Sequence, residues 1–226
     1  MRRILSYMAL ALLAFAPRGE AVVSDLYPDG PSFYDMPFPF ELRRDPDGTV
    51  SLAGFPFPPA NPLIASYQVA LEQTRSFGIH SGVFFKLDGD IDPASLPSSA
   101  EASRQPGSSL FLINIDPRSS RRGERAPLWL EFRSAGDAWR DDHQLAFMPV
   151  PGHPLEPGAL HAAVLTEQLL GDDLLPVTAS PFLERMKSET PLGAFEAAAL
   201  PLFQRLWQQL EGREGMARSE VVGATV

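Results

Sequence analysis

The chain has 226 residues and a formal charge of -9, with 44% hydrophobic residues, enough for one core of domain size. An acidic balance of this size repels phosphate backbones and anionic bilayers, so it argues against nucleic acid or a membrane surface as partner. The chain contains no cysteine, which excludes disulfides, thiolate metal sites, a cysteine nucleophile and a lipidated N-terminal cysteine.

Arg2 and Arg3 precede an apolar run over residues 4–16, and Gly19-Glu20-Ala21 offers a small-x-small cleavage site. This reads as a signal peptide over residues 1–21, because the run falls short of the ~20 apolar residues that a spanning helix needs. The competing reading is a buried N-terminal helix. A signal peptide predicts a secreted, periplasmic or cell-surface protein with no membrane span in the mature chain. Its removal takes three arginines and one glutamate and leaves the remainder more acidic.

Residues 22–62 are dense in proline, glycine and aromatic residues. The chain as a whole carries 23 prolines and 17 glycines, which disfavours long helices and suits short strands joined by turns. Pro37 and Pro39 favour extended backbone and remove ladder donors. The segment is expected to lie on the domain as a strap, anchored by Phe33, Phe38, Phe40, Phe55 and Phe57. The same rings can alternatively serve as a surface for a partner or a stacked sugar.

Residues 63–75 follow, where Leu63, Tyr67, Ala70, Leu71 and Thr74 fall along one face of a short helix. Alternation of Val83, Phe85 and Leu87 with Phe84 and Lys86 predicts a strand over 81–87. Further strands are expected over 109–116, 128–133, 144–148 and 159–166, separated by Ser-, Pro-, Gly- and Arg-rich loops. Arg118, Arg121, Arg122 and Arg125 cluster in one of those loops, as a solvated tip or as an anion site. Phe195, Ala199, Leu202, Leu206 and Leu210 give residues 193–211 a helical period, with a kink or break expected at Pro201 and a stop at Gly212. The closing V-V-G-A-T-V starts another strand. No internal repeat is present.

Chemistry-bearing motifs are few. Gly78-Ile79-His80-Ser81-Gly82 misses the nucleophile elbow G-x-S-x-G by one place, and no catalytic residue is assigned. His80, His143, His153 and His161 show no metal-ligand spacing. Asp88, Asp90 and Asp92 are the calcium candidates, since alternate carboxylates can converge on a hard cation. An EF-hand loop would need glycine at Pro93 and glutamate at Ser99, so a strand-end turn is the competing reading. Asp172-Asp173 reads as a turn. No cofactor is expected.

The segment F-F-K-L-D-G-D-I-D-P-A-S-L-P, followed by L-A-F-M-P-V-P-G-H-P-L-E-P-G-A-L-H-A-A-V-L-T, resembles the two signature strands of bacterial Ig-like domains of the SbsA type. P-F-P-F-E-L with G-F-P-F-P is similar to the opening of the N-terminal domain of bacterial extracellular lipases and related α/β-hydrolase proteins. Leu160-His161 stands where that family has tyrosine, and the Phe-Thr-Thr that completes its last strand is missing, so either the reading frame is truncated or the strand is completed in some other way. The resemblance implies an all-β, Ig-like antiparallel β-sandwich with a Pro/Phe-rich N-terminal strap and a C-terminal helix. Its domains would be the strap at 22–62, the sandwich at 63–190, and the helix with a final strand at 191–226. It also implies a secreted non-catalytic accessory or interaction domain, the front of a longer lipase- or esterase-like protein, in contact with a downstream hydrolase domain. The alternatives are a hydrolase whose catalytic half lies beyond the chain, and a free-standing cell-surface binding protein whose ligand the sequence does not name.

Overall fold

A computed structural model describes residues 21–24, 27–28, 30–57 and 61–226. Residues 1–20, which carry most of the signal-peptide reading, lie outside the described residues. The strands lie mainly in two antiparallel sheets, joined by helices of which the longest is near the C-terminus. The first sheet contains β2 (Val83–Lys86), β4 (Leu128–Arg133) and β5 (Gln144–Pro149) in the order β2-β5-β4. The second contains β3 (Leu110–Asn114), β6 (His161–Thr166) and β8 (Val221–Thr225) in the order β3-β6-β8.

Period-two alternation decides which side chains meet. Phe85, Leu145 and Phe147 of the first sheet and Leu110, Leu112, Ala163 and Leu165 of the second belong to one buried apolar cluster. The register places Phe85 opposite Leu145 and Leu112 opposite Ala163, and the Phe85 and Phe147 rings lie nearly parallel, 6.0 Å apart. The intervening residues of β3 and β6 (Phe111, Ile113, Ala162 and Val164) point the other way, into a second cluster. That cluster is closed by α2 (Pro181–Lys187) and α3 (Gly193–Gln209) through Phe182, Met186, Phe203, Leu206 and Trp207. The Trp207 indole N–H donates to the Met186 carbonyl at 3.1 Å, which satisfies the one polar atom that burying this ring brings inside.

Helix α3 runs unbroken past Pro201, so it does not divide there into two short helices. Proline removes the N–H that would bond the carbonyl four residues back. That carbonyl belongs to Ala197, which is exposed, as is Pro201, so water can take the bond. The helix widens into a π turn over Leu210–Glu214 and stops at Gly215, at φ 70°, three residues after the expected Gly212. Helix α2 has no counterpart among the expected elements. Ser180 caps it by accepting from the Leu183 N–H, and Pro181 occupies its first turn.

The strap folds onto both clusters. Phe38 and Phe84 exchange backbone hydrogen bonds of 3.1 and 2.7 Å, which covers the free edge of β2. Phe33, Tyr34, Phe38 and Phe55 pack ring against ring beside Phe84, while Phe40 enters the helix-side cluster. Val22 lies in the inter-sheet cluster, and β1 (Val23–Ser24) pairs in parallel with β7 (Thr178–Ala179). The Ser24 hydroxyl donates to the Val222 carbonyl, and the Glu41 N–H donates to the Val226 carbonyl at 2.7 Å.

The first helix, α1 (Pro62–Leu71), forms where its period predicted, with Asn61 as cap and Pro62 in the first turn. None of its residues is buried, so its apolar stripe meets no core. Among the described residues no helix is long and apolar enough to cross a membrane.

Candidate functional site

A cleft of about 680 Å³ opens where the strap, the two sheets and α3 come together. Volumes of this order hold small-molecule ligands. Its floor is the sheet interior itself: Val83 of β2, Leu112 of β3, Ala163 of β6 and Thr225 of β8. One wall is strap, from Pro39 to Arg44. A second is the 76–81 turn with Phe77, Ile79 and Ser81, and a third is the 155–161 approach to β6 with Leu155, Leu160 and His161. The Leu155 N–H donates to the Ile79 carbonyl at 3.1 Å and ties the last two walls together.

Polar groups ring this apolar floor. Asp116 accepts from the Arg118 guanidinium at 3.1 and 3.0 Å and from the Arg118 backbone N–H at 2.9 Å. These bonds hold its carboxyl far below the usual carboxylate range. Glu156 accepts from Asn114 at 2.8 Å and from the Ser119 hydroxyl. The Glu41 carboxylate meets Arg44 at 2.5 Å. His161 lies between this cleft and a neighbouring cavity of about 380 Å³, and it lines both. Its Nδ1 lies 3.0 Å from the Ala159 carbonyl, so Nδ1 carries the proton and Nε2 is left as an acceptor. Burial pushes its pKa below the ordinary histidine value, which keeps the ring neutral at pH 7.

The near-miss elbow forms the 76–81 wall. The Ser81 N–H donates to the Gly78 carbonyl at 2.9 Å, closing a tight turn. Ser81 and His161 line one cleft, yet no hydrogen bond joins them among the described residues, and the His161 Nδ1 proton goes to a carbonyl rather than to an acid. A triad needs both links.

The calcium candidates are placed apart in role. Asp88 accepts from the Val23 N–H at 2.7 Å and so fastens β1. Asp90 meets His143 Nδ1 at 2.9 Å; hydrogen bonds from Ser134 and then His143 lower its pKa. Asp92 caps a short turn by accepting from the Ala94 N–H at 3.0 Å. Among the described residues no group of three His, Cys, Asp or Glu is gathered that could hold a metal ion. Asp173 likewise closes its own turn, accepting from the Leu175 N–H at 2.9 Å.

The arginine cluster is dispersed in the same way. Arg118 goes to Asp116, Arg121 to Glu124 at 2.6 Å and Arg122 to Gln209 at 2.7 Å. Arg125 is buried: it donates to the Gln105 carbonyl at 2.9 Å, reaches Glu214 at 3.3 Å and lies 3.8 Å over the Phe111 ring. A shared anion would have to displace partners that each guanidinium already has. The remaining histidines, His80 and His153, lie in turns, and His153 lines only the smaller cavity.

Sequence reasoning missed Leu155, Glu156, Arg205 and Gln208 as lining residues. Arg205 and Gln208 are exposed on α3 at a spacing of three, so they share a helix face, and that offset from the apolar stripe is the only local signal they give. No family model, curated protein or solved structure matches this chain.

Proposed function

We propose that this chain is an Ig-like, SbsA-type accessory domain that acts by binding in the cleft between strap, sheets and α3, without carrying out a reaction of its own. The resemblance of its strands and strap to the N-terminal domains of bacterial extracellular lipases motivates that assignment. In this reading the protein is secreted or periplasmic and works beside a linked hydrolase domain. One observation carries the choice of binding over catalysis. The cleft opens on an apolar floor, while its imidazole is committed to the Ala159 carbonyl and is unlinked to Ser81.

The test is an esterase assay with p-nitrophenyl acetate and butyrate on the purified chain. Hydrolysis at the buffer rate, unchanged in Ser81→Ala and His161→Ala, is the expected result. Turnover well above buffer that either substitution abolishes would overturn the reading.

A further inference from the structure

The charged groups that line the cleft are not all paired. Arg44 is paired with Glu41 at 2.5 Å and Arg118 with Asp116 at 3.0 Å. Glu156 is held by Asn114 and Ser119, so its Oε2 lone pairs are already engaged. Among the described residues Arg205 is the one lining cation with no anionic or hydrogen-bonding partner. It lines the cleft from α3, and Val83, Leu112 and Ala163, buried members of the inter-sheet core, line the same cleft from the sheets.

We propose that the cleft takes a straight-chain aliphatic carboxylate, with its tail on the sheet floor and its head on Arg205. This rests on the binding reading above and names the ligand class for the same site. A guanidinium presents a planar fork that fits a carboxylate in two parallel hydrogen bonds. Of the cleft's carboxylates, Glu41 and Asp116 are already paired with arginines and Glu156 holds two donors on Oε2, whereas Arg205 has no partner to displace among the described residues. Beside its polar groups, the cleft is lined by the apolar side chains of Val83, Leu112, Ala163, Ile79, Leu155 and Leu160. An unbranched alkyl chain can fill such a space and gains affinity with each methylene it buries.

Titration calorimetry with sodium octanoate, decanoate and dodecanoate, each below its micelle concentration, tests this on the intact chain. The matched alkanols and alkyltrimethylammonium salts serve as controls. Binding should be one to one and should tighten roughly threefold to fourfold per methylene. Two exposed substitutions probe head and tail without touching the core. Arg205→Glu should weaken alkanoates at least about tenfold while leaving alkanols unchanged. Ile79→Asp should weaken both. Alkanoates and alkylammonium ions binding equally well, indifference to Arg205→Glu, or no heat from any alkanoate would each overturn the proposal. Ester turnover by the same preparation would overturn the non-catalytic reading instead, so the two failures are told apart.

Discussion

The two three-stranded sheets share an interior, but they sit in different surroundings. The sheet β3-β6-β8 is covered on both faces: Leu110 and Leu112 of β3 belong to one cluster, Phe111 and Ile113 to the other, and every residue of β3 and β8 is buried. In the sheet β2-β5-β4, strand β4 exposes Trp129, Glu131 and Arg133 while burying or half-burying the residues between them. The difference is written in the strands themselves. Ser-Leu-Phe-Leu-Ile-Asn-Ile is a nearly continuous apolar run, as a doubly covered strand requires, whereas Leu-Trp-Leu-Glu-Phe-Arg turns amphipathic at its fourth residue.

This contrast predicts a gradient of sensitivity. Phe111 is fully buried and lies under the Arg125 guanidinium, so Phe111→Ala should cost about 3–5 kcal/mol in urea unfolding, through lost contacts and the cavity left behind. A cost below ~1 kcal/mol would mean that the helix-side cluster is not packed as described. Gly223 of β8 sits against Leu165, where an added Cβ would lie 2.8 Å from Leu165 Cδ1. Gly223→Val should therefore destabilise by about 1–3 kcal/mol, read as a lowered melting temperature. Trp129 is 56% exposed on the other sheet, and Trp129→Ser should shift stability by no more than about 0.5 kcal/mol. A loss comparable to that of Phe111→Ala would show the exposed face of β4 to be covered in solution, and the contrast between the sheets would collapse.

The strands that carry the fold were legible because alternation is local. Val83, Phe85 and Leu87 announce β2, and the apolar stripe of Phe195, Ala199, Leu202, Leu206 and Leu210 announces α3. Three things were not. The paired dipeptides Val23–Ser24 and Thr178–Ala179 are too short to show any period. Helix α2 was hidden by its brevity, although Ser180-Pro181 is a cap followed by a first-turn proline and would have marked its start. Helix α1 shows the opposite failure: Leu63, Tyr67 and Leu71 have the right spacing, yet all three are exposed, since a period states which side chains share a face and not whether anything packs on it.

The cleft was illegible for a different reason. Its lining comes from segments around residues 39–44, 76–83, 112–118, 155–163 and 205–226, so no spacing within any one of them reports it. The acidic triplet shows the converse. Asp88, Asp90 and Asp92 are neighbours in sequence, but each carboxylate leaves for a different partner, namely the Val23 N–H, His143 and the Ala94 N–H. Adjacency along the chain did not become convergence in space.

The fastening of the strap onto the last strand has a kinetic corollary. Ser24 reaches Val222 across 198 positions, and Thr225 reaches Pro39 across 186. Loops of that span close late, because the entropy of bringing such distant segments together is lost before their contacts repay it. The bonds that fasten the strap to β8 therefore form only once Val221–Thr225 is in place, however early the strap itself is made.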